Sequence, residues 1–238
     1  MDITMKRLCT ICARAGSKGI KNKNIRDLLG KPLIAYSILQ AKETRLFECV
    51  AVSSDSSEIL EIAKQFGADY LINRPAKLAT DEAPKLPVIR HCVLETERLT
   101  RKTYETIVDL DATSPLRTIE DIREAVKMLE ERSVSNVITG APAHRSPYFN
   151  LVELGEDGVA ALSKKLTKPI TRRQDAPRCF DMNASIYVWK RHFLFKSATL
   201  FNADTLLYVM PVERSVDIDS ELDFQVVELL MKQRGQNV

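Results

Sequence analysis

Through residue 140 the chain alternates short apolar runs with longer stretches of helical periodicity. Strands separated by helices pair in parallel, because the helix returns the chain to the starting edge of the sheet. The apolar runs at 8–13, 50–53, 70–72, 106–110 and 137–139 are the expected strands. Helices are expected at 32–42, with Pro32 in the first turn, and at 55–66, 86–99 and 118–131. Asp55 with Glu58 three residues later fits a capping box, and Thr118 is placed to cap the fourth helix. This rhythm predicts an α/β fold: a Rossmann-like, mostly parallel sheet with helices on both faces.

After Gly140 the rhythm breaks. Residues 141–182 carry Pro142, Pro147, Pro169 and Pro177 among short alternating pieces, which reads as an inserted arm or small β lobe. Strands return at 184–189 and 206–210, and Ser220 is placed to cap a last helix to about 232. A chain of 238 residues can bury one substantial core, so a single domain over 1–238 with 141–182 inserted in it is expected.

Charge narrows the function. A net charge of +3 argues against a general nucleic-acid binder, but the distribution is uneven. Residues 1–31 hold eight Lys and Arg against two Asp, whereas Asp217, Asp219, Glu221 and Asp223 crowd one short stretch. No run approaches the roughly 18 apolar residues of a membrane span, and the first residues do not read as a signal peptide. No membrane partner and a cytoplasmic location are therefore expected. Five scattered cysteines fit reduced, buried thiols. Cys9 and Cys12 form a CxxC, but three residues apart on a strand they point to opposite faces.

Three segments are expected to meet above the carboxyl edge of the sheet. The first is LCTICARAGSKGIKNKN (residues 8–24), an apolar strand that runs into a loop of cations and glycines. Glycines allow close backbone approach to a ligand, and Lys and Arg neutralise phosphate charge. The loop is neither a GxxxxGK[ST] nor a GxGxxG element, so it indicates a polyphosphate without naming one. The second segment is DLDATSPLR (109–117) and the third DIDSELD (217–223). On an extended segment Asp217 and Asp219 face the same side, which suits Mg²⁺; an acidic helix start is the alternative. The three histidines, His91, His144 and His192, are isolated and suggest no general base.

These segments, with NRPAKLATD, RRQDAP and MNASIY between them, resemble the acylneuraminate cytidylyltransferases, the CMP-sialic acid synthetases, along nearly the whole chain and in order. The resemblance implies an enzyme that couples CTP to a nine-carbon 2-keto sugar acid and releases pyrophosphate. Arg14, Ser17, Lys18, Lys23 and Asn24 match positions that hold the CTP phosphates. Arg74, Thr80 and Asp81 match the loop that reads cytosine and ribose. Arg173, Gln174 and Asn183 match sugar-side positions, and Asp217 and Asp219 match a Mg²⁺ pair. The arm resembles a segment used for homodimerisation.

Two departures bear on the sugar. The sialic acid enzymes typically read LLQPTSPLR, where this chain has Asp111 for Gln, and they tend to carry Arg where it has Asp181. Both positions belong to the sugar side, and carboxylates there change which hydrogen bonds and charges the pocket accepts. The DLDA and CFDMNASIY wording looks most like the bacterial legionaminic acid cytidylyltransferases, so N,N′-diacetyllegionaminic acid is the expected substrate. N-acetylneuraminate, pseudaminate and Kdo are the alternatives. A catalytically silent nucleotide-binding domain is the competing class, and the paired Asp217 and Asp219 speak against it.

Overall fold

The computed structural model describes residues 6–16, 19–168 and 170–236. In chain order its strands and helices are β1 (Arg7–Cys12), β2 (Asp27–Leu28), β3 (Lys31–Pro32), α1 (Leu33–Thr44), β4 (Cys49–Ser54), α2 (Ser57–Gln65) and β5 (Tyr70–Asn73). There follow α3 (Lys85–Thr100), β6 (Thr106–Leu110), α4 (Ile119–Arg132), β7 (Asn136–Pro142), β8 (Val152–Leu154) and β9 (Ala160–Leu162). The chain continues with β10 (Phe180–Lys190), α5 (Arg191–Lys196), β11 (Leu206–Val209) and α6 (Glu221–Gln236). The main sheet has the order β11-β7-β10-β6-β1-β4-β5, and only β10 runs antiparallel to its neighbours.

The central strands are apolar because both faces of the sheet are covered. Along β1, Cys9 and Ile11 enter a core with Ile34 and Ile38 of α1, Ile59 of α2 and Ile122 of α4. Leu8 and Cys12 enter the opposite core, with Ile89 and Cys92 of α3 and Trp189. The two cysteines of the CxxC therefore occupy opposite faces, and all five thiols are free. A third, smaller cluster joins Ile20 and Leu28 to Ile218, Phe224 and Val227.

Strand order positions the site. From β1 the chain moves outward through β4 and β5; α3 then brings it back to β6 on the other side of β1. The connections after β1 and β6 diverge, and such a switch point opens a crevice at the carboxyl ends of the strands.

Two local expectations need correction. Asp55 does not cap α2. Ser56 does, with its side chain accepting from the Ile59 amide, while Asp55 Oδ1 accepts from the Ala15 amide in the cationic loop at 3.0 Å. Pro32 precedes α1 and pairs with Asp27 in the small β2–β3 ladder. Thr118 does cap α4, in a full capping box with Asp121. Ser220 likewise exchanges bonds with Asp223 at the start of α6. The arm is an outgrowth of the β7–β10 ladder, since Phe180 pairs with Pro142 beyond a bulge, and it carries the β8–β9 hairpin.

Candidate active site

A cleft of about 430 Å³ lies at the switch point, lined among others by Arg14, Gly16, Lys23, Asn24, Arg74, Lys85, Asp111, Thr113, Asp217 and Asp219. The loop after β1 is pinned by the protein's own contacts. Ala13 donates to the Ser53 carbonyl, and Asn24 Nδ2 donates to the Arg14 carbonyl at 3.0 Å. The Arg14 guanidinium donates to Asp81 Oδ1, so the loop after β5 closes over the loop after β1. Arg74 is nearly buried, with Nη2 donating to the Ser53 carbonyl at 2.7 Å. Thr80 is exposed and accepts the Ala83 amide through its carbonyl. Ser17 and Lys18, expected at the phosphates, lie outside the described residues.

The acidic segment meets this loop directly. Lys23 Nζ donates to the Ile218 carbonyl at 2.5 Å and to Asp219 Oδ1 at 3.0 Å. Arg26 pairs with Glu221 and stands 4.0 Å over the Phe224 ring. Gly19 passes so close to the Asp219 carbonyl that a Cβ there would sit 2.0 Å from its oxygen. Beneath these contacts Ile20 and Ile218 are buried together. Burying side chains of this size contributes about 1.5–3 kcal/mol each, enough to help hold the two turns together beside the pocket. The segment is also braced from behind. Arg214 donates twice to the buried Asp121 at 2.8 and 2.9 Å, and Ser215 Oγ accepts from Asn183 Nδ2 at 2.9 Å.

The DATSPLR element supplies the floor. Arg117 is fully buried and donates to the carbonyls of Asp111 and Ser185, which fixes the backbone after β6. Asp111 Oδ1 accepts from the amide and hydroxyl of Thr113, and Oδ2 accepts from Lys85 Nζ at 3.0 Å. Burial pushes the Asp111 carboxyl up, but Lys85 and the Thr113 donors outweigh it and hold it well below the usual carboxylate range. Thr113 Oγ1 also lies 2.5 Å from Asp217 Oδ1. Burial and the neighbouring charge of Asp111 push Asp217 up despite that hydrogen bond.

Asp217 and Asp219 both line the cleft and are hard oxygen donors, the ligand type that Mg²⁺ takes. Among the described residues no three metal-ligating side chains form a cluster, so such an ion would complete its shell with water and phosphate oxygens. This donor set fits Mg²⁺.

The other expected sugar-side residues stand elsewhere. Arg173 donates to the carbonyls of Ala143 and His144, and with Gln174, Arg145 and Arg178 it lines a separate hollow of about 360 Å³ at the base of the arm. Among the described residues, none lines both the cleft and the hollow. Asp181 is exposed and accepts the His144 amide at 3.2 Å. Asn183 is nearly buried, its amide bonded to Thr139, Ser185, Ser215 and Met210. Lys85 and Thr113 went unnoticed in the sequence, although a lysine opening a helix is a visible conflict with the helix dipole.

An α/β sheet with a cationic loop and an acidic pair at its switch point defines a nucleotide-handling transferase, and comparison with known proteins narrows the class. A family model described as Cytidylyltransferase matches residues 8–217, and the chain belongs to that family. It is 46% identical over 228 residues to post-translational flagellin modification protein B of Campylobacter coli, covering 96% of each chain. It is 48% identical over 224 residues to the CMP-N,N′-diacetyllegionaminic acid synthase of Campylobacter jejuni, covering 94% of each. Among solved structures, CMP:2-keto-3-deoxy-manno-octonic acid synthetase complexed with CTP matches with a TM-score of 0.67 at 16% identity, covering 96% of this chain and 99% of that one. That match is one of fold. The expected fold and enzyme class are both borne out.

Proposed function

We propose that this cytidylyltransferase couples CTP to N,N′-diacetyllegionaminic acid, giving the CMP-sugar and pyrophosphate. The observation that carries the reaction is the meeting of the cationic loop with Asp217 and Asp219 in one cleft. The near full-length similarity to a CMP-N,N′-diacetyllegionaminic acid synthase supports the choice of sugar.

The anomeric hydroxyl of the sugar attacks the α-phosphorus in line, and pyrophosphate leaves. Such transfers need positioning and charge neutralisation more than covalent help from the protein. Arg14, Lys23 and Asn24, with Ser17 and Lys18, are proposed to receive the phosphates, and Arg74, Thr80 and Asp81 to enclose cytosine and ribose. In the cleft Lys23 is paired with Asp219, and Arg14 with Asp81. Pairs this exposed are worth about 0–1 kcal/mol, so phosphate oxygens displace them easily. Asp217 and Asp219 are proposed to hold Mg²⁺, which when bound would polarise the α-phosphate and stabilise departing pyrophosphate.

The arm supports a homodimer. Leu151, Val152, Leu154, Val159 and Leu162 are all exposed on or beside the β8–β9 hairpin, an apolar surface rarely left to water. Arg173 and Gln174, with Asp181 nearby, would then serve a sugar site completed across the dimer. Among the described residues no helix is long and apolar enough to cross a membrane. The demand for CTP favours a cytoplasmic location.

A pyrophosphate-release assay with CTP, Mg²⁺ and a panel of sugar acids tests the reading. The highest kcat/KM is expected with N,N′-diacetyllegionaminic acid. Preference for N-acetylneuraminate, pseudaminate or Kdo would overturn the sugar, and no release with any of them would overturn the reaction.

A further inference from the structure

One hydroxyl in the cleft stands between two carboxylates. Thr113 Oγ1 lies 2.8 Å from Asp111 Oδ1 and 2.5 Å from Asp217 Oδ1. A threonine hydroxyl has a single proton to donate, and an ionised carboxylate can only accept. The two aspartates therefore compete for one hydrogen bond.

The other donors decide the competition. Asp111 has two that do not depend on the hydroxyl: the Thr113 amide on Oδ1 at 3.1 Å and Lys85 Nζ on Oδ2 at 3.0 Å. Asp217 is poorer, because Ser114 Oγ reaches the same Oδ1 only at 3.5 Å, the limit of a hydrogen bond. The shorter contact also has the length of a hydroxyl donating to an ionised oxygen, so the proton belongs to Asp217. The contact to Asp111 is then left without a proton, and Lys85 offsets the repulsion by drawing the Asp111 charge to its far side. Lys85 is fixed for this task, with Asp109 Oδ2 at 3.5 Å and the Tyr187 ring centroid at 4.3 Å. It also opens α3, where a lysine opposes the helix dipole, and such a local conflict is a mark of function.

We propose that Lys85 is a positioning residue: by engaging Asp111 it leaves the single Thr113 proton to Asp217, and so holds that carboxylate in the orientation that receives a divalent ion. This rests on the metal reading of Asp217 and Asp219. Among the described residues no donor hydrogen-bonds Asp217 Oδ2, so one oxygen is anchored and the other is left for the ion. Without the ammonium, Asp111 becomes the stronger acceptor and takes the proton, and Asp217 loses its anchor.

The test is a Mn²⁺ titration of the full chain without CTP or sugar, followed by loss of the free-ion EPR signal. Thr113→Val should weaken the ion about 10-fold, the lower end of what losing a partner of a metal ligand costs. Thr113→Ser keeps the hydroxyl and should bind like the wild type. Lys85→Met should weaken the ion as Thr113→Val does, with Lys85→Gln as a second neutral variant should the first fail to fold. Charge alone predicts the reverse, since removing a neighbouring cation tightens the binding of another. Adding Asp111→Asn to the Lys85 variant weakens the competitor and should bring affinity back towards the wild type, where charge alone predicts a further loss. A folded Lys85 variant that binds as tightly as the wild type, or a double variant weaker than the single one, overturns this inference and spares the metal reading. Unchanged binding in Thr113→Val, or an equal loss in Thr113→Ser, does the same. No binding by the wild type removes the metal reading and this inference with it.

Discussion

A single methyl group at position 19 would drive the loop into a backbone carbonyl. A Cβ on Gly19 would stand 2.0 Å from the Asp219 oxygen and 3.2 Å from its carbon, whereas real Cβ contacts essentially never fall under 3.0 Å. The obstacle is backbone, so no rotamer change relieves it. The cationic loop and the acidic segment must separate by about 1 Å, the scale at which a displaced reactive group costs roughly 100-fold in rate. The same movement loosens Ile20 against Ile218, and such overpacking costs about 1–3 kcal/mol. For a chain of this length that lowers the melting temperature by roughly 2–12 °C. Gly19→Ala is therefore expected to remain folded while kcat/KM for CTP falls about 100-fold in the pyrophosphate assay. Gly235→Ala, whose Cβ meets nothing within 4 Å on α6, is the matched control and should be neutral or slightly stabilising. A Gly19→Ala enzyme with wild-type turnover and melting temperature would refute the reasoning.

Asp219→Asn should abolish turnover with little change in melting temperature, since its carboxylate is largely exposed; near-native activity would remove it from the metal site. Asp217 behaves differently, because its folded-state pKa is raised. Its penalty is absent below the unfolded pKa and grows as pH rises through the folded one. Metal-free Asp217→Asn should therefore be inactive yet melt above the wild type at pH 7, the gap closing in acid. Asp111 has the opposite sign. Its lowered pKa contributes stability above the unfolded value of about 3.9, lost as pH falls through the folded one, so Asp111→Asn should destabilise at neutral pH. Arg214→Met strands the buried Asp121 and should cost about 3 kcal/mol in denaturant unfolding. Leu154→Asp with Val159→Asp should convert a dimer of 26.9 kDa chains to monomer by light scattering, and an unchanged mass would sink the arm assignment.

Features set by near neighbours were legible in the sequence. Strand and helix periods, the Thr118 and Ser220 caps and the Pro-rich break after Gly140 depend on residues a few positions apart. The miss at Asp55 came from competition between adjacent oxygens: Ser56 reached the helix amides, and Asp55 turned to a loop 40 residues away. The short helix α5 carried too few residues to show a period. At the cleft, residue types were legible but partners were not. Asp111 reads as a free carboxylate until Lys85 is seen against it, 26 residues away in sequence. Asn183 matches a sugar-side position, but its buried amide braces the loop that carries Asp217.

The sequence alone determined the sheet, the cations of residues 14–24 and the acidic pair at 217 and 219, because periodicity and charge are local properties. Tertiary structure decided which charge faces which. Setting β6 beside β1 put Asp109 next to Thr10, and α3, crossing back over the sheet, delivered Lys85 to the end of β6. Burial then made those pairings count, since charges attract strongly only where water has been excluded. The cationic loop and the acidic segment lie some 200 residues apart in sequence, and it is the packing of Ile20 on Ile218 that makes them one site.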